Sequence, residues 1–242
     1  MNKSFVLLSV AVAMIAIEQR SLAEDLSPAL LVQPPENVFT PMGFDDNDNS
    51  QVVLFGNLPD TCHKVGPMHY RVDKEKKTIF VRNEVYFYSG CWCADVLVPY
   101  TQALNIGVLN AGNYEIAVEK PDGSFQKMAA LPIAVATTLS PDDYLYAPVE
   151  YVHLEKHGAD APELVVNGVF HNSCMILKEL KVTYRPNHVI EVQPIAELEG
   201  TNCTSDARLF SQKIKLTGTL KGRTLIHVRS LNGQSLNQVE EF

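Results

Sequence analysis

The chain has 242 residues, of which 46% are hydrophobic and 20% charged, and these values are ordinary for a globular protein. They exclude disordered, collagen-like and low-complexity classes. The formal net charge is −8 without a basic cluster, so the sequence predicts no nucleic-acid partner, because phosphate neutralisation supplies most of that affinity.

Residues 1–23 have the organisation of an export signal. Lys3 supplies a positive charge, an apolar run follows from Phe5 to Ile17, and Ser21-Leu22-Ala23 offers small residues where signal peptidase reads the chain. This apolar run is too short to span a bilayer as a helix, and no later segment reaches about 18 uninterrupted apolar residues. The sequence therefore predicts cleavage after Ala23, no transmembrane segment after signal removal, and a periplasmic or secreted location.

A run of oxygen donors, Asp45-Asp46-Asn47-Asp48-Asn49, precedes the first strongly apolar segment. Hard oxygen ligands that alternate along a loop can hold Ca²⁺, which makes Asp45, Asp46 and Asp48 candidate ligands. The EF-hand pattern fails, because the twelfth position from Asp46 is Asn57 rather than glutamate. We favour a solvated loop without a cofactor over a calcium site here.

Strand patterns fill the region that follows. Apolar and polar residues alternate in Leu104-Asn105-Ile106 and in Tyr114-Glu115-Ile116-Ala117-Val118, with the turn signal Lys120-Pro121-Asp122-Gly123 just after. We find no amphipathic helix longer than about two turns. The sequence predicts an all-β chain of short antiparallel strands arranged as a sandwich.

An aromatic cluster lies within this region. Tyr86, Tyr88 and Trp92 are close in sequence, and only alternate residues of a strand can face the core. We interpret these three as a candidate binding surface for a protein or an envelope component, with edge packing as the alternative.

The chain repeats itself. Val52–Cys62 recurs as Leu164–Cys174, with the same spacing between glycine and cysteine. Further positions correspond at a constant offset of 110, namely Cys93, Leu104, Ile106, Gly112, Ile116, Val118 and Gly123 with Cys203, Ile214, Leu216, Gly222, Ile226, Val228 and Gly233. We predict two tandem β-sandwich domains, residues 35–135 and 147–242, joined by a short linker.

Five cysteines in an exported chain predict disulfide bonds. If each copy folds by itself, Cys174 must pair with Cys203. Cys62 has two possible partners: the offset of 110 favours Cys93, whereas the 29-residue spacing of the second copy favours Cys91. We give the offset more weight, because many positions share it, and this leaves Cys91 as a free thiol.

Three motifs of the first copy resemble immunoglobulin-like β-sandwich modules of bacterial exported proteins. They are Gly-x-Leu-Pro-x-x-Cys from Gly56, Cys-x5-Pro-Tyr from Cys93 and Gly-x-Tyr-x-Ile-x-Val from Gly112. The second copy departs from them, with Phe170-His171 in place of Leu-Pro and Thr224 in place of the tyrosine. The resemblance implies two tandem immunoglobulin-like sandwiches with a binding or structural role.

No catalytic motif is present, with neither Gly-x-Ser-x-Gly nor His-Glu-x-x-His nor a Gly-rich phosphate loop. We therefore expect a non-enzymatic binding or structural protein of the cell envelope. Two alternatives remain: a thiol-redox or metal-handling protein that uses Cys91 and Cys93, and a calcium-dependent adhesion module that uses the aspartates.

Overall fold

The computed structural model describes residues 27–90, 92–156, 158, 161–185, 187–218 and 221–242. The predicted export signal and Cys91 lie outside the described residues. The described residues form sixteen strands and no α-helix, with one three-residue 3-10 turn at Leu231–Gly233, so the all-β prediction is confirmed. None of their segments is a helix long and apolar enough to cross a membrane.

Nine strands form what we call the N-terminal half. They are β1 (Ala29–Val32), β2 (Asn37–Phe39), β3 (Phe44–Asp45), β4 (Ser50–Leu58), β5 (His63–Asp73), β6 (Thr78–Phe87), β7 (Val98–Gly107), β8 (Gly112–Glu119) and β9 (Phe125–Ala134). One sheet has the order β1-β6-β8-β9-β3, with β5 on the other edge of β6, and a second sheet has the order β2-β4-β7.

Seven strands form the C-terminal half. They are β10 (Val149–Glu155), β11 (Glu163–Phe170), β12 (Met175–Arg185), β13 (Val189–Leu198), β14 (Arg208–Lys215), β15 (Arg223–Ser230) and β16 (Gln234–Glu241). Their sheets have the orders β10-β11-β14 and β12-β13-β15-β16. The pairing of β11 to β16 is the same, strand for strand, as that of β4 to β9.

The pairing differs from the antiparallel expectation at three places. β6 pairs with β8, β13 with β15 and β3 with β9 in parallel. The first two pairs have a simple cause. Between β6 and β8 the chain crosses to the opposite sheet as β7 and returns, so β8 runs in the same direction as β6. The strand β14 does the same between β13 and β15.

The sheets stack in four layers. One apolar cluster, which includes Val52, Ile79 and Ile116, lies between the two sheets of the N-terminal half. A second cluster, which includes Leu164, Ile190 and Ile226, lies between the sheets of the C-terminal half. A third cluster joins the halves, because the outer faces of β2-β4 and β13-β15-β16 pack together through Phe39, Val53, Phe55, Val189, Leu225 and Val239.

The predicted turn at Lys120–Gly123 joins two paired strands, and an Asn-Gly turn has the corresponding place in the C-terminal half. Gly123 adopts φ of 78° between β8 and β9, and Asn232 and Gly233 adopt φ of 61° and 67° between β15 and β16. These positive values are the conformation that glycine and asparagine tolerate best.

Candidate functional site

Two disulfide bonds hold corresponding places in the halves. Cys62 is bonded to Cys93, and Cys174 to Cys203. Each bond joins the connection that follows β4 or β11 to the connection that precedes its pairing partner, β7 or β14. The disulfides therefore close the same end of each half and fix the loops there.

A short side-chain turn precedes each of these disulfides. Asp60 Oδ1 accepts hydrogen bonds from the backbone N–H groups of Cys62 at 2.8 Å and His63 at 3.1 Å, and it lies 2.7 Å from His63 Nδ1. The contact with the His63 ring lowers the pKa of Asp60. Asn172 Oδ1 accepts from the backbone N–H of Cys174 at 2.8 Å in the same way.

Among the described residues, the side chains of Asp60, Cys62 and Cys93 converge as a group of metal-ligating types. Both sulfurs of the group belong to the same disulfide, so neither is a thiolate that could bind a metal ion. The same bond occupies Cys93, one of the two cysteines of the predicted redox pair. The residues at this end of the N-terminal half therefore form a structural disulfide that holds the two connections together.

The aromatic residues singled out in the sequence lie at this end. Tyr86 is on β6, in register with Leu30 of β1 and Lys64 of β5. The backbone N–H of Tyr88 donates to the carbonyl of Cys62 at 3.0 Å. Trp92 precedes Cys93 and is 90% exposed. We call Tyr86, Tyr88 and Trp92 the aromatic surface.

Phe87 points the other way. It alternates with its tyrosine neighbours along the chain and packs on His63, with ring centroids 4.8 Å apart. Tyr86 and Tyr88 keep more than a third of their surface exposed. The alternation expected from the sequence is thus present at the end of β6.

The three candidate calcium ligands hold their own loop together. Asp45 Oδ1 accepts from the backbone of Asn47 at 3.1 Å, and Asp46 Oδ1 accepts from the backbone of Ala136 at 2.8 Å. Asp48 Oδ2 accepts from the backbone of Asp45 at 3.2 Å and lies 3.4 Å from the guanidinium of Arg229. Burial raises the pKa of Asp48, and Arg229 opposes that effect. Calcium binding here stays a prediction, while the contacts in the structure are those of a packed loop.

Sequence reasoning missed the polar network between the halves. Arg229 of β15 is buried, and its guanidinium donates to the carbonyl of Gly43 at 3.1 Å and lies 4.4 Å from the centre of the Phe44 ring. Glu191 of β13 accepts from the backbone N–H of Met42 at 2.5 Å. Gln51 Oε1 accepts from Ser235 Oγ and Asn237 Nδ2 at 2.9 and 2.7 Å. These bonds fix how the two halves sit together.

His227 lies in the same network. It is 1% exposed, its Nδ1 is 2.8 Å from Asn237 Oδ1, and its ring meets the Phe44 ring edge-on at 6.1 Å. Burial lowers the pKa of His227 to about 4. The alternation in Leu225-Ile226-His227-Val228 predicts an outward polar histidine; the side chain does point away from its own core, but the N-terminal half covers it.

Comparison with known proteins bears on one part of the chain. Residues 52–127 match the family model described as the ORF11 beta-sandwich domain. The match begins in β4, ends in β9 and contains the Cys62–Cys93 disulfide and the aromatic surface. No curated protein and no solved structure matches the chain. This segment is therefore similar to a β-sandwich family whose description states a fold and no activity.

Proposed function

We propose that the protein is an exported, non-enzymatic β-sandwich protein that binds a protein or another envelope component through the aromatic surface. It consists of two tandem copies, residues 35–135 and 147–242, behind a signal peptide of residues 1–23. The repeated strand pairing and the repeated turn before each disulfide support the tandem arrangement.

The disulfides support the location. Two of them join cysteines that are 31 and 29 residues apart in sequence. Bonds of this kind form and persist in oxidising compartments and are rare where glutathione keeps thiols reduced. A periplasmic or secreted protein fits this chemistry together with the export signal in the sequence.

The exposure of Trp92 carries the binding proposal. Its side chain is 90% exposed, although tryptophan is highly buried on average. The residue is fixed beside a disulfide, so its loop loses little freedom when a partner covers the ring. Exposed tryptophan and tyrosine side chains on an ordered backbone are frequent anchors of protein interfaces.

The aromatic surface can be tested by capture from an envelope extract. We expect the tagged protein to recover a partner and Trp92→Ala to lose at least about tenfold in recovery, because interface tryptophans often contribute more than a tenfold factor. Leu139→Ala is the matched control, since Leu139 is fully exposed but lies in the segment between the halves. Equal recovery of every partner by the wild type and Trp92→Ala would overturn this assignment.

A further inference from the structure

The four-layer stack leaves two sheet faces uncovered. Between the halves, the outer face of β2-β4-β7 packs on the outer face of β12-β13-β15-β16. The corresponding faces are β10-β11-β14 in the C-terminal half and β5-β6-β8-β9 in the N-terminal half. Each of these faces is on the side of its half that is away from the internal interface. The face of β10-β11-β14 corresponds to that of β2-β4-β7, and the face of β5-β6-β8-β9 corresponds to that of β12-β13-β15-β16.

The outer face of β5-β6-β8-β9 presents an aromatic platform. The rings of Phe80 and Phe125 pack edge to face, with their centroids 4.9 Å apart. The Arg71 guanidinium lies 3.7 Å from the centre of the Phe80 ring. These side chains line a cavity of about 180 Å³, and Phe125 is 43% exposed. Among the described residues, no carboxylate forms an ion pair with Arg71.

The outer face of β10-β11-β14 presents complementary groups. Tyr151 is 55% exposed and Leu209 is 82% exposed, and both line a cavity of about 290 Å³ together with Glu150. Glu150 is the extra residue of a bulge in β10 and, within the described part of the chain, has no cation within ion-pair distance. One uncovered face thus carries apolar groups with an unpaired cation, and the other carries apolar groups with an unpaired anion.

Register pairs show which residues correspond. Phe80 pairs with Ala117 in the N-terminal half as Glu191 pairs with His227 in the C-terminal half. Glu191 and His227 are covered by the neighbouring sandwich. Phe80 and Ala117, which occupy the same places in the fold, have no sandwich over them. An aromatic ring therefore replaces a carboxylate where the fold already has a docking position.

On the other side of the interface, a histidine occupies the place of a phenylalanine. Phe39 pairs with Val53 on the covered face, and His153 pairs with Val165 on the uncovered one. Tyr151 and Asn167 are in register beside them, which puts Tyr151 on the same outer face.

We propose that the protein associates head to tail with a second copy of itself. The outer face of β10-β11-β14 in one molecule packs on the outer face of β5-β6-β8-β9 in the next. Because the two faces differ and lie at opposite ends, the contact is heterologous and leaves a free face at each end. The inference rests on the proposed tandem arrangement and is independent of partner binding by the aromatic surface.

Sedimentation velocity of the purified mature protein, without residues 1–23, tests the association. Between about 1 and about 500 μM, we expect the weight-average sedimentation coefficient to rise steadily as an open series of oligomers forms. Phe125→Glu and Tyr151→Glu each place a charge on one face, and each should weaken self-association at least about tenfold. Both side chains are exposed, so the folded state tolerates the change, and circular dichroism checks it. Leu139→Ala is the control, and it should form the same series of oligomers as the wild type.

An equimolar mixture of the two variants gives the decisive result. Phe125→Glu retains the β10-β11-β14 face and Tyr151→Glu retains the other, so the mixture should form a one-to-one dimer that grows no further. A wild type that stays monomeric over the whole range, a variant that associates like the wild type, or a mixture that stays monomeric would each overturn the proposal.

Capture of an envelope component is measured separately with Trp92→Ala and with Phe125→Glu. If Phe125→Glu no longer self-associates but still captures the envelope component fully, the self-association face and the aromatic surface act separately. Full self-association in a protein that captures no partner overturns only the binding assignment of the aromatic surface.

Discussion

A histidine without charge lies at the contact between the two halves. His227 is held between Asn237 and Phe44 and is shielded from water, so protonation would put a charge where only one ring nitrogen has a partner. Arg229 on the same strand adds a like charge nearby. Desolvation is the larger effect, and it keeps the imidazole neutral in the folded protein.

The stability of the protein should therefore fall in mild acid. The pKa of His227 is about 4 in the folded protein against 6.5 as the ordinary value, so the unfolded chain binds the proton first. The stability that neutral His227 provides is fully present above pH 6.5, and it is lost as the pH falls from there towards 4. Between pH 7 and pH 5 we expect the free energy of unfolding to drop by about 2 kcal/mol from this group alone.

Urea denaturation at the two pH values measures this drop, and His227→Asn is the control. Asparagine does not titrate, and it can keep a hydrogen bond to Asn237. The variant will be less stable at both pH values. Its free energy of unfolding should, however, change less between pH 7 and pH 5 than that of the wild type, by about 2 kcal/mol. Equal pH dependence in the two proteins would contradict the assignment.

At the level of single elements, each disulfide joins two connections that hydrogen bonds also hold together, such as those between Ser173 and Thr204. Residues 199–207, which contain Cys203, form no strand between β13 and β14. The bond to Cys174 joins this segment to the connection between β11 and β12, and the backbone N–H of Glu199 also donates to the Cys174 carbonyl at 2.7 Å. The aromatic surface depends on the corresponding bond of the N-terminal half.

Removal of the Cys174–Cys203 bond should lower the free energy of unfolding without changing the fold. For the double variant Cys174→Ala, Cys203→Ala we expect a loss of about 3 kcal/mol, because a loop of this length then regains its freedom in the unfolded chain. Urea denaturation measures the loss, and the far-UV circular dichroism of the folded state should be unchanged. Capture through Trp92 should persist, since that surface has its own disulfide; a double variant as stable as the wild type would contradict the expectation.

At the scale of the whole molecule, the halves are coupled through apolar and polar contacts. Val53 and Phe55 point away from the apolar cluster of the N-terminal half and pack on Val189 and Leu225 of the C-terminal half. Around this cluster, Arg223 forms an ion pair with Glu36, and Asn187 donates to the Thr40 carbonyl at 2.9 Å. Such an interface makes the folding of one half depend on the other.

We expect the wild type to unfold in one calorimetric transition and Val53→Asp to unfold in two. A carboxylate at this fully buried position without a cation opposes docking by about 3 kcal/mol or more, while both sandwich cores stay intact. Val65→Asp is the control, because Val65 is 40% exposed on another sheet. Two transitions in the wild type would show that the halves unfold separately and would refute the coupling.

Much of the local structure follows from short-range patterns. The alternation in Tyr114–Val118 sets which side chains face the core, and Asn232-Gly233 specifies its hairpin through the backbone conformations that these residues tolerate. The cysteine positions limit the possible disulfides, yet two partners for Cys62 remained, and the tertiary structure pairs it with Cys93.

The all-β class, the inward and outward sides of the strands, and the ends of the hairpins follow from residues that are close in the chain. What covers the outward sides depends on contacts between segments that are distant in the chain. His227, Arg229 and Asp48 have the pattern of solvent-facing residues, but they are buried against partners more than 100 positions away. A period of two shows that a side chain points away from its own core, and it carries no information about which sheet lies beyond.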